Sequence, residues 1–276
     1  MMIILNHEGV SLLSSSGKAF RLSEFIDPKD GKAVIVAADR GFMLGPITGL
    51  KDLEKTMKMA VNSGVNAVVL SPGQVGRMIH HFKGKKAPAL LVRADWTNAF
   101  RGESFILPAK EIKRVTIIDA EDAVALGASA VIAFFCVGYE EDEAHNLESV
   151  AMLARSCDHL GMPLIVESIP IGERVTETNF VDCVDLAMRI AVEAGADAIA
   201  APYTGDVKSF RKIIDAAKVP VFVLDTTVSP VQDLLRAVTK ALEAGAAGVI
   251  ASNTIFEATN PAKTLETLVD IIHTKG

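Results

Sequence analysis

EAGADAIAA (Glu193–Ala201) and EAGAAGVIA (Glu243–Ala251) are one phrase written twice. A helix ends in a small-residue turn, and the chain runs straight into an apolar, β-rich segment. NSGVNAVVL (Asn62–Leu70) and LGASAVIAF (Leu126–Phe134) repeat it. The glycine in each (Gly64, Gly127, Gly195, Gly245) suits a helix C-cap, where positive φ is needed. The uninterrupted apolar run behind it reads as a strand buried on both faces, which is the pattern of a parallel sheet.

Working outward, further strands are read at Ala33–Ala38, Ala89–Val92, Leu164–Val166 and Val219–Leu224, two of them entered through proline in GMPLIVES and AKVPVFVLD. Helices are read over Lys51–Asn62, Ala144–Leu160, Phe180–Ala194, Ser209–Ala217 and Val231–Ala244. Eight strands alternating with helices predict a parallel α/β fold. At 276 residues, eight such units point to one closed (β/α)8 barrel over residues 31–276. Residues 1–30 are read as an N-terminal extension, a short helix or hairpin capping the bottom of the ring. No GxGxxG follows the first strand, so a dinucleotide fold is disfavoured.

Composition narrows the function classes. With 28 basic against 34 acidic residues the net charge is −6, and no basic block offers a path for nucleic acid phosphates. The mean hydropathy is +0.32, high enough to test for a membrane segment. A long uncharged run, Ala123–Tyr139, is too short to span a bilayer and is cut by Gly127 and Ser129. Three cysteines without CxxC spacing support neither a disulfide framework nor a structural zinc site. The expectation is a cytoplasmic protein that binds neither nucleic acid nor membrane.

Barrel chemistry sits where strands end. In order these ends carry Asp39 and Arg40, Ser71, Arg93 and Asp95, Cys136, Glu167 and Ser168, then the turn Tyr203-Thr204-Gly205-Asp206. Asp225 with Thr226 and Thr227, and finally Ser252 and Asn253, complete the circuit. Asp39, Asp95, Glu167 and Asp225 would bring four carboxylates to one mouth, where close negative charges must be paired, protonated, hydrogen-bonded or metal-bound. Each residue also has a plainer reading. Asp206 is most simply a helix N-cap. Asp39 before Arg40-Gly41 suits either an ion pair or the site, and Asp225 before Thr-Thr suits local loop bonds. Glu167 ends an apolar strand and is expected in the mouth or in an ion pair just below it. Cys136 reads as a small buried hydrophobe, and His145 and His159 as helix-surface residues. His80 and His81, beside Lys83, Lys85 and Lys86, read as a solvated basic helix face rather than a metal site.

RLSEFIDPKDGKAVIVAADRGFMLGPITGL (Arg21–Leu50) resembles the opening of archaeal-type class I fructose-bisphosphate aldolases and the related amino-dideoxy-heptulosonate synthases of the DeoC/LacD aldolase group. GASAVIAFFCVG (Gly127–Gly138), HLGMPLIVESIPIG (His159–Gly172), GADAIAAPYTGD (Gly195–Asp206) and GAAGVIASNTIF (Gly245–Phe256) extend the resemblance over nearly the whole chain. It implies a TIM barrel, lyase chemistry in carbohydrate metabolism, a homo-oligomer, a lysine on strand six that forms an imine with a ketone, and glycine-rich phosphate turns after strands seven and eight. The chemical positions depart from that pattern. The lysine position, three residues before the tyrosine of YTGD, is Ala200; Asp39-Arg40-Gly41 stands for DHG, and Ile169-Pro170-Ile171-Gly172 for YPRG. The strand-four tyrosine falls at or near Cys136. Asp225-Thr226-Thr227 stands for the strand-seven glycines, and Ser252-Asn253-Thr254 for GRN. Alanine forms no imine. Lys208 is the nearest amine in sequence and is expected to face solvent or the phosphate region.

The expectation is therefore an aldolase-like protein acting on a small carbohydrate-like substrate without the usual imine, or an inactive ligand-binding or assembly subunit on the same scaffold. Asp39, Glu167, Asp225 and Tyr203 are the expected catalytic residues, and Arg40, Asp95, Thr226, Ser252 and Asn253 the expected substrate contacts. No cofactor is expected. Magnesium or manganese would suit the oxygen ligands, but no ligand motif supports either.

Overall fold

A computed structural model describes residues 7–225 and 230–274. Eight parallel strands close into a ring: β1 (Ala33–Ala37), β2 (Ala67–Leu70), β3 (Ala89–Arg93), β6 (Ala130–Val137), β7 (Leu164–Pro170), β8 (Ala198–Ala201), β9 (Val221–Leu224) and β10 (Gly248–Ala251). A short antiparallel pair, β4 (Asp95–Thr97) with β5 (Arg114–Thr116), stands outside it. Helices α1 (His7–Leu22), α2 (Gly41–Leu44), α3 (Leu53–Asn62), α4 (Pro72–Met78) and α5 (Ala120–Ala125) belong to the first half. The second half holds α6 (Glu140–Leu160), α7 (Phe180–Glu193), α8 (Val207–Ala217), α9 (Val231–Ala244), α10 (Asn253–Phe256) and α11 (Pro261–Thr274). A 3-10 turn, Ile79–Phe82, follows α4. No helix among the described residues is long and apolar enough to cross a membrane.

Strand pleating sorts the side chains into two layers. Ile35, Leu91, Ile132, Ile165, Phe222 and Ile250 pack together inside the ring. Their neighbours, such as Val34, Val68, Val131 and Val249, face outward into a second layer with the helices. Between successive units, the polar residue just before a strand joins it to the neighbouring strand. Asn66 Oδ1 accepts from Val34 N at 2.7 Å, and Asp197 Oδ2 accepts from Leu164 N at 2.9 Å. Helix α1 is fastened to the outside: Lys18 pairs with Asp158 and, at 2.9 Å, with Asp197, while Arg21 donates to the carbonyl of Gly161. Phe25, 1% exposed, then enters the inner layer.

The ring closes where β1 meets β10, with Ala33 opposite Gly248. Gly248 has φ +134°, and a Cβ there would lie 1.9 Å from the carbonyl oxygen of Ala33. Only glycine allows that approach. Gly248→Ala is expected to destabilise the fold by about 2–4 kcal/mol, because backbone rather than a side chain must move. A urea midpoint unchanged from the parent would show that the closing pair yields more easily than its geometry indicates.

Candidate active site

The same pleating that fills the barrel with Leu91 and Ile165 turns Arg93 and Glu167, two residues further along β3 and β7, to the inner face. Asp39 follows the end of β1 with the parity of Ile35 and Ala37. These side chains meet. Arg93 Nε donates to Asp39 Oδ2 at 2.6 Å, and its Nη2 lies 2.6 Å from Glu167 Oε2. Asp95 Oδ1 stands 3.7 Å from Nη1. The guanidinium is 0% exposed, and its carbon sits 3.9 Å from the ring centroid of Phe134. Burial opposes its charge, but Asp39, then Glu167 and Asp95, outweigh that and raise the Arg93 pKa. Three carboxylates do converge, with the guanidinium of Arg93 between them.

Around this centre the next layer is also ionic. Arg40 Nη2 lies 3.4 Å from Glu167 Oε1, with its guanidinium 5.4 Å from the Phe100 ring and 5.6 Å from the Phe134 ring. Arg114, on β5, reaches Asp95 at 3.9 Å and Asp142 at 3.5 Å. Asp95 Oδ2 accepts from Phe134 N at 2.9 Å, beside the point where β3 ends. Burial pushes the Asp95 carboxyl up to about 6, against the pull of Arg93 and Arg114. One helix supports the layer: Asn146, fully buried on α6, accepts from Cys136 N at 2.8 Å and donates to Phe134 O at 3.0 Å.

Asp225 belongs to a different arrangement. Its carboxylate accepts from Ser252 N (3.0 Å), Thr254 N (3.1 Å) and Thr254 Oγ1 (2.7 Å), while Ser252 Oγ donates to its carbonyl. Asp225 thus holds the loop after β10, through Ser252 and Thr254, rather than its own loop as the sequence suggested. Burial raises the Asp225 carboxyl, partly offset by those bonds and by Arg40. Asn253 opens α10, with its Oδ1 sealed and unbonded. Tyr203 packs edge-on to Phe210 in the strand–helix layer, 5.3 Å between centroids, so it borders the mouth rather than filling it. Thr226 lies outside the described residues. Asp206 caps α8, accepting from Lys208 N and Ser209 N. Lys208 is exposed on that helix. Cys136 is buried, and burial lifts its thiol to about 11, which leaves it inert as a nucleophile.

Above the ionic layer a cavity of about 520 Å³ opens between the ends of β7, β8 and β9, lined by Phe100, Ile169, Ile171, Leu224 and Asp225 among others. Ala200 lies below it, fully buried and in register with Glu167. Sequence reading placed Arg93 at a strand end but gave it no role, and it missed Phe134 and Arg114. The available signal was an arginine ending an otherwise apolar strand, which requires buried anions nearby.

Arg93→Met should leave Asp39, Glu167 and Asp95 buried without a counter-charge and destabilise the protein by about 3–5 kcal/mol in urea unfolding. A loss below about 1 kcal/mol would mean that the carboxylates find other partners. The pH response of Asp95 follows from the direction of its shift. The folded state holds that proton more tightly than the unfolded chain, so this group's contribution falls as pH rises from about 4 to about 6. Asp95→Asn should therefore compare more favourably with the parent at pH ~7 than at pH ~4, by on the order of 2 kcal/mol. Parallel unfolding curves at both pH values would contradict the assignment.

Comparison with known proteins places this geometry. Residues 33–258 match the model of the DeoC/LacD family aldolases. An uncharacterized aldolase of Saccharolobus solfataricus is 30% identical over 261 residues, covering 93% of this chain and 94% of the relative. A 2-amino-3,7-dideoxy-D-threo-hept-6-ulosonate synthase of Halobacterium salinarum is also 30% identical, covering 95% and 93%. The crystal structure of an archaeal fructose 1,6-bisphosphate aldolase superposes with a TM-score of 0.80 at 28% identity, covering 94% of this chain and 99% of that one. Fold and sequence agree: this chain belongs to the DeoC/LacD aldolase family.

Proposed function

We propose that this protein carries out carbon–carbon lyase chemistry on a small sugar or keto substrate, with the guanidinium of Arg40 in place of a lysine imine at the substrate carbonyl. The observation that carries the reading is the difference between the two arginines. Arg93 is fully buried among three carboxylates, whereas Arg40 has one ion pair at 3.4 Å and lies near Phe100, which lines the cavity. Its remaining N–H donors suit an oxygen on which negative charge develops as a C–C bond breaks to an enolate. Burial of Ala200 and exposure of Lys208 are in keeping with a route that needs no amine. The proposal needs no cofactor. The aldolases and synthase it resembles make a carbohydrate-like substrate the natural class, although the cavity's apolar wall and Asp225 favour unphosphorylated compounds. A cytoplasmic homo-oligomer is part of the same reading, and exposed Ile106 and Leu107 offer apolar surface for it.

A second reading rests on its own observation. Asp39, Asp95, Glu167 and Asp225 are all engaged, which suits a subunit that binds a ligand without turning it over.

The test is aldol cleavage of phosphorylated and unphosphorylated ketoses, with and without EDTA. Arg40→Gln should lower turnover by at least about 100-fold, as loss of an oxyanion donor does. Borohydride with substrate should add no mass to the protein. A trapped lysine adduct would overturn the imine-free route. Saturable ligand binding with no turnover on any ketose would favour the second reading.

A further inference from the structure

The paired histidines His80 and His81 do not sit on a plain basic face. They occupy the 3-10 turn Ile79–Phe82, and this turn packs against the first turn of α3, where Glu54 lies. His80 Nε2 is 3.2 Å from the Glu54 carboxylate, and His81 Nε2 is 3.1 Å from its Oε1. The three donor atoms all lie within 4.8 Å of one another. Donors on a tetrahedral ion, at bonds of about 2.0–2.2 Å, stand roughly 3.3–3.6 Å apart. The observed separations are close to that spacing.

Distance alone would also suit an ion pair, and His81 distinguishes the two. Its side chain is only 8% exposed, yet the sealed Nε2 makes no hydrogen bond, although Glu54 Oε1 is near enough to accept one. The Glu54 carboxylate thus stands beside that nitrogen as a neighbouring charge without meeting it in hydrogen-bond geometry. The contrast is with the other such grouping among the described residues, at Asp27, Asp30 and His273. There the imidazole is fully used, with Nδ1 at 2.7 Å from Asp30 and Nε2 at 3.0 Å from Asn66 Oδ1. His273 is a hydrogen-bonded strut; His81 has a donor atom left over.

We propose that Glu54, His80 and His81 form a binding site for a transition-metal ion of the zinc class, outside the barrel and separate from its mouth. Two imidazole nitrogens and one carboxylate oxygen are the donor set that zinc, cobalt and nickel accept and that magnesium and calcium do not favour. The ion would join the helix after β1 to the turn that follows β2. Among the described residues, the lysine paired to the site is Lys58, its Nζ 3.4 Å from Glu54; its side chain is 66% exposed and can swing into solvent when a metal arrives.

The experiment is titration of the purified full chain with Co(II), read by its visible ligand-field absorption, and with Zn(II), read by competition against a chromogenic chelator. One ion per chain is expected, with a rise in the thermal unfolding midpoint on addition of Zn(II). His81→Gln and Glu54→Gln should each weaken binding by at least the roughly tenfold that disturbing a ligand's support already produces. Glu54 is partly exposed, so that variant is expected to fold normally even where the His81 variant does not. His145→Gln, at an exposed histidine on α6 near Glu148, should bind as the parent does. If the parent binds no more tightly than Glu54→Gln, or loses as much through His145→Gln, the cluster is an ion pair with adventitious surface binding and the proposal is overturned.

Discussion

Arg93 carries its charge at zero exposure, and Asp39 and Glu167, each at 2.6 Å, are what make that tolerable. Taking a guanidinium out of water costs several kcal/mol before any pairing. The surroundings compensate with three anions and an aromatic face, all supplied by different strands. The consequence spreads outward. Glu167 is held from both sides by Arg93 and Arg40, and Asp95 by Arg93 and Arg114. Strand ends that would otherwise splay at the mouth are tied by charge, so the floor of the cavity is rigid and electrically balanced.

That floor bears on Ala200, the position at which the sequence resemblance implied a lysine. Ala200 and Glu167 are register partners. A long cationic side chain at residue 200 would enter a ring whose anions are already committed to Arg93. The small side chain of Ala200 leaves the inner face beside Glu167 to the buried arginines 93 and 40. The cavity above is largely apolar, and Asp225 at its edge is turned to hold the loop through Ser252 and Thr254.

Much of the architecture was legible in the chain. The helix–turn–strand phrase located β2, β6, β8 and β10, and Val231–Ala244 was read with the bounds it has. Strand β7 was read short, to Val166, because Glu167 and Ser168 break the apolar run, whereas in space β6 pairs with it as far as Pro170. The β4–β5 pair was missed since three-residue strands leave no periodicity to read. The capping role of Asp206 was visible because its partners, Lys208 and Ser209, are near in sequence, whereas the partners of Asp225 lie 27 and 29 residues on, on the loop after β10, and were not. The role of Arg93 was not visible either, since its two tightest partners, Asp39 and Glu167, lie on other parts of the ring, and only closure of the barrel brings them to it.

Closure has a kinetic side. Gly248 lets the last strand slide against Ala33 of the first, so the one pairing that turns a curled sheet into a ring joins segments at opposite ends of the polypeptide. Contacts of such long sequence separation form late, since the entropy of the intervening loop must be surrendered before they give anything back. During synthesis β1 waits with an unpaired edge until nearly the whole chain has emerged. An incomplete product therefore displays an adhesive strand border, and the finished barrel has none.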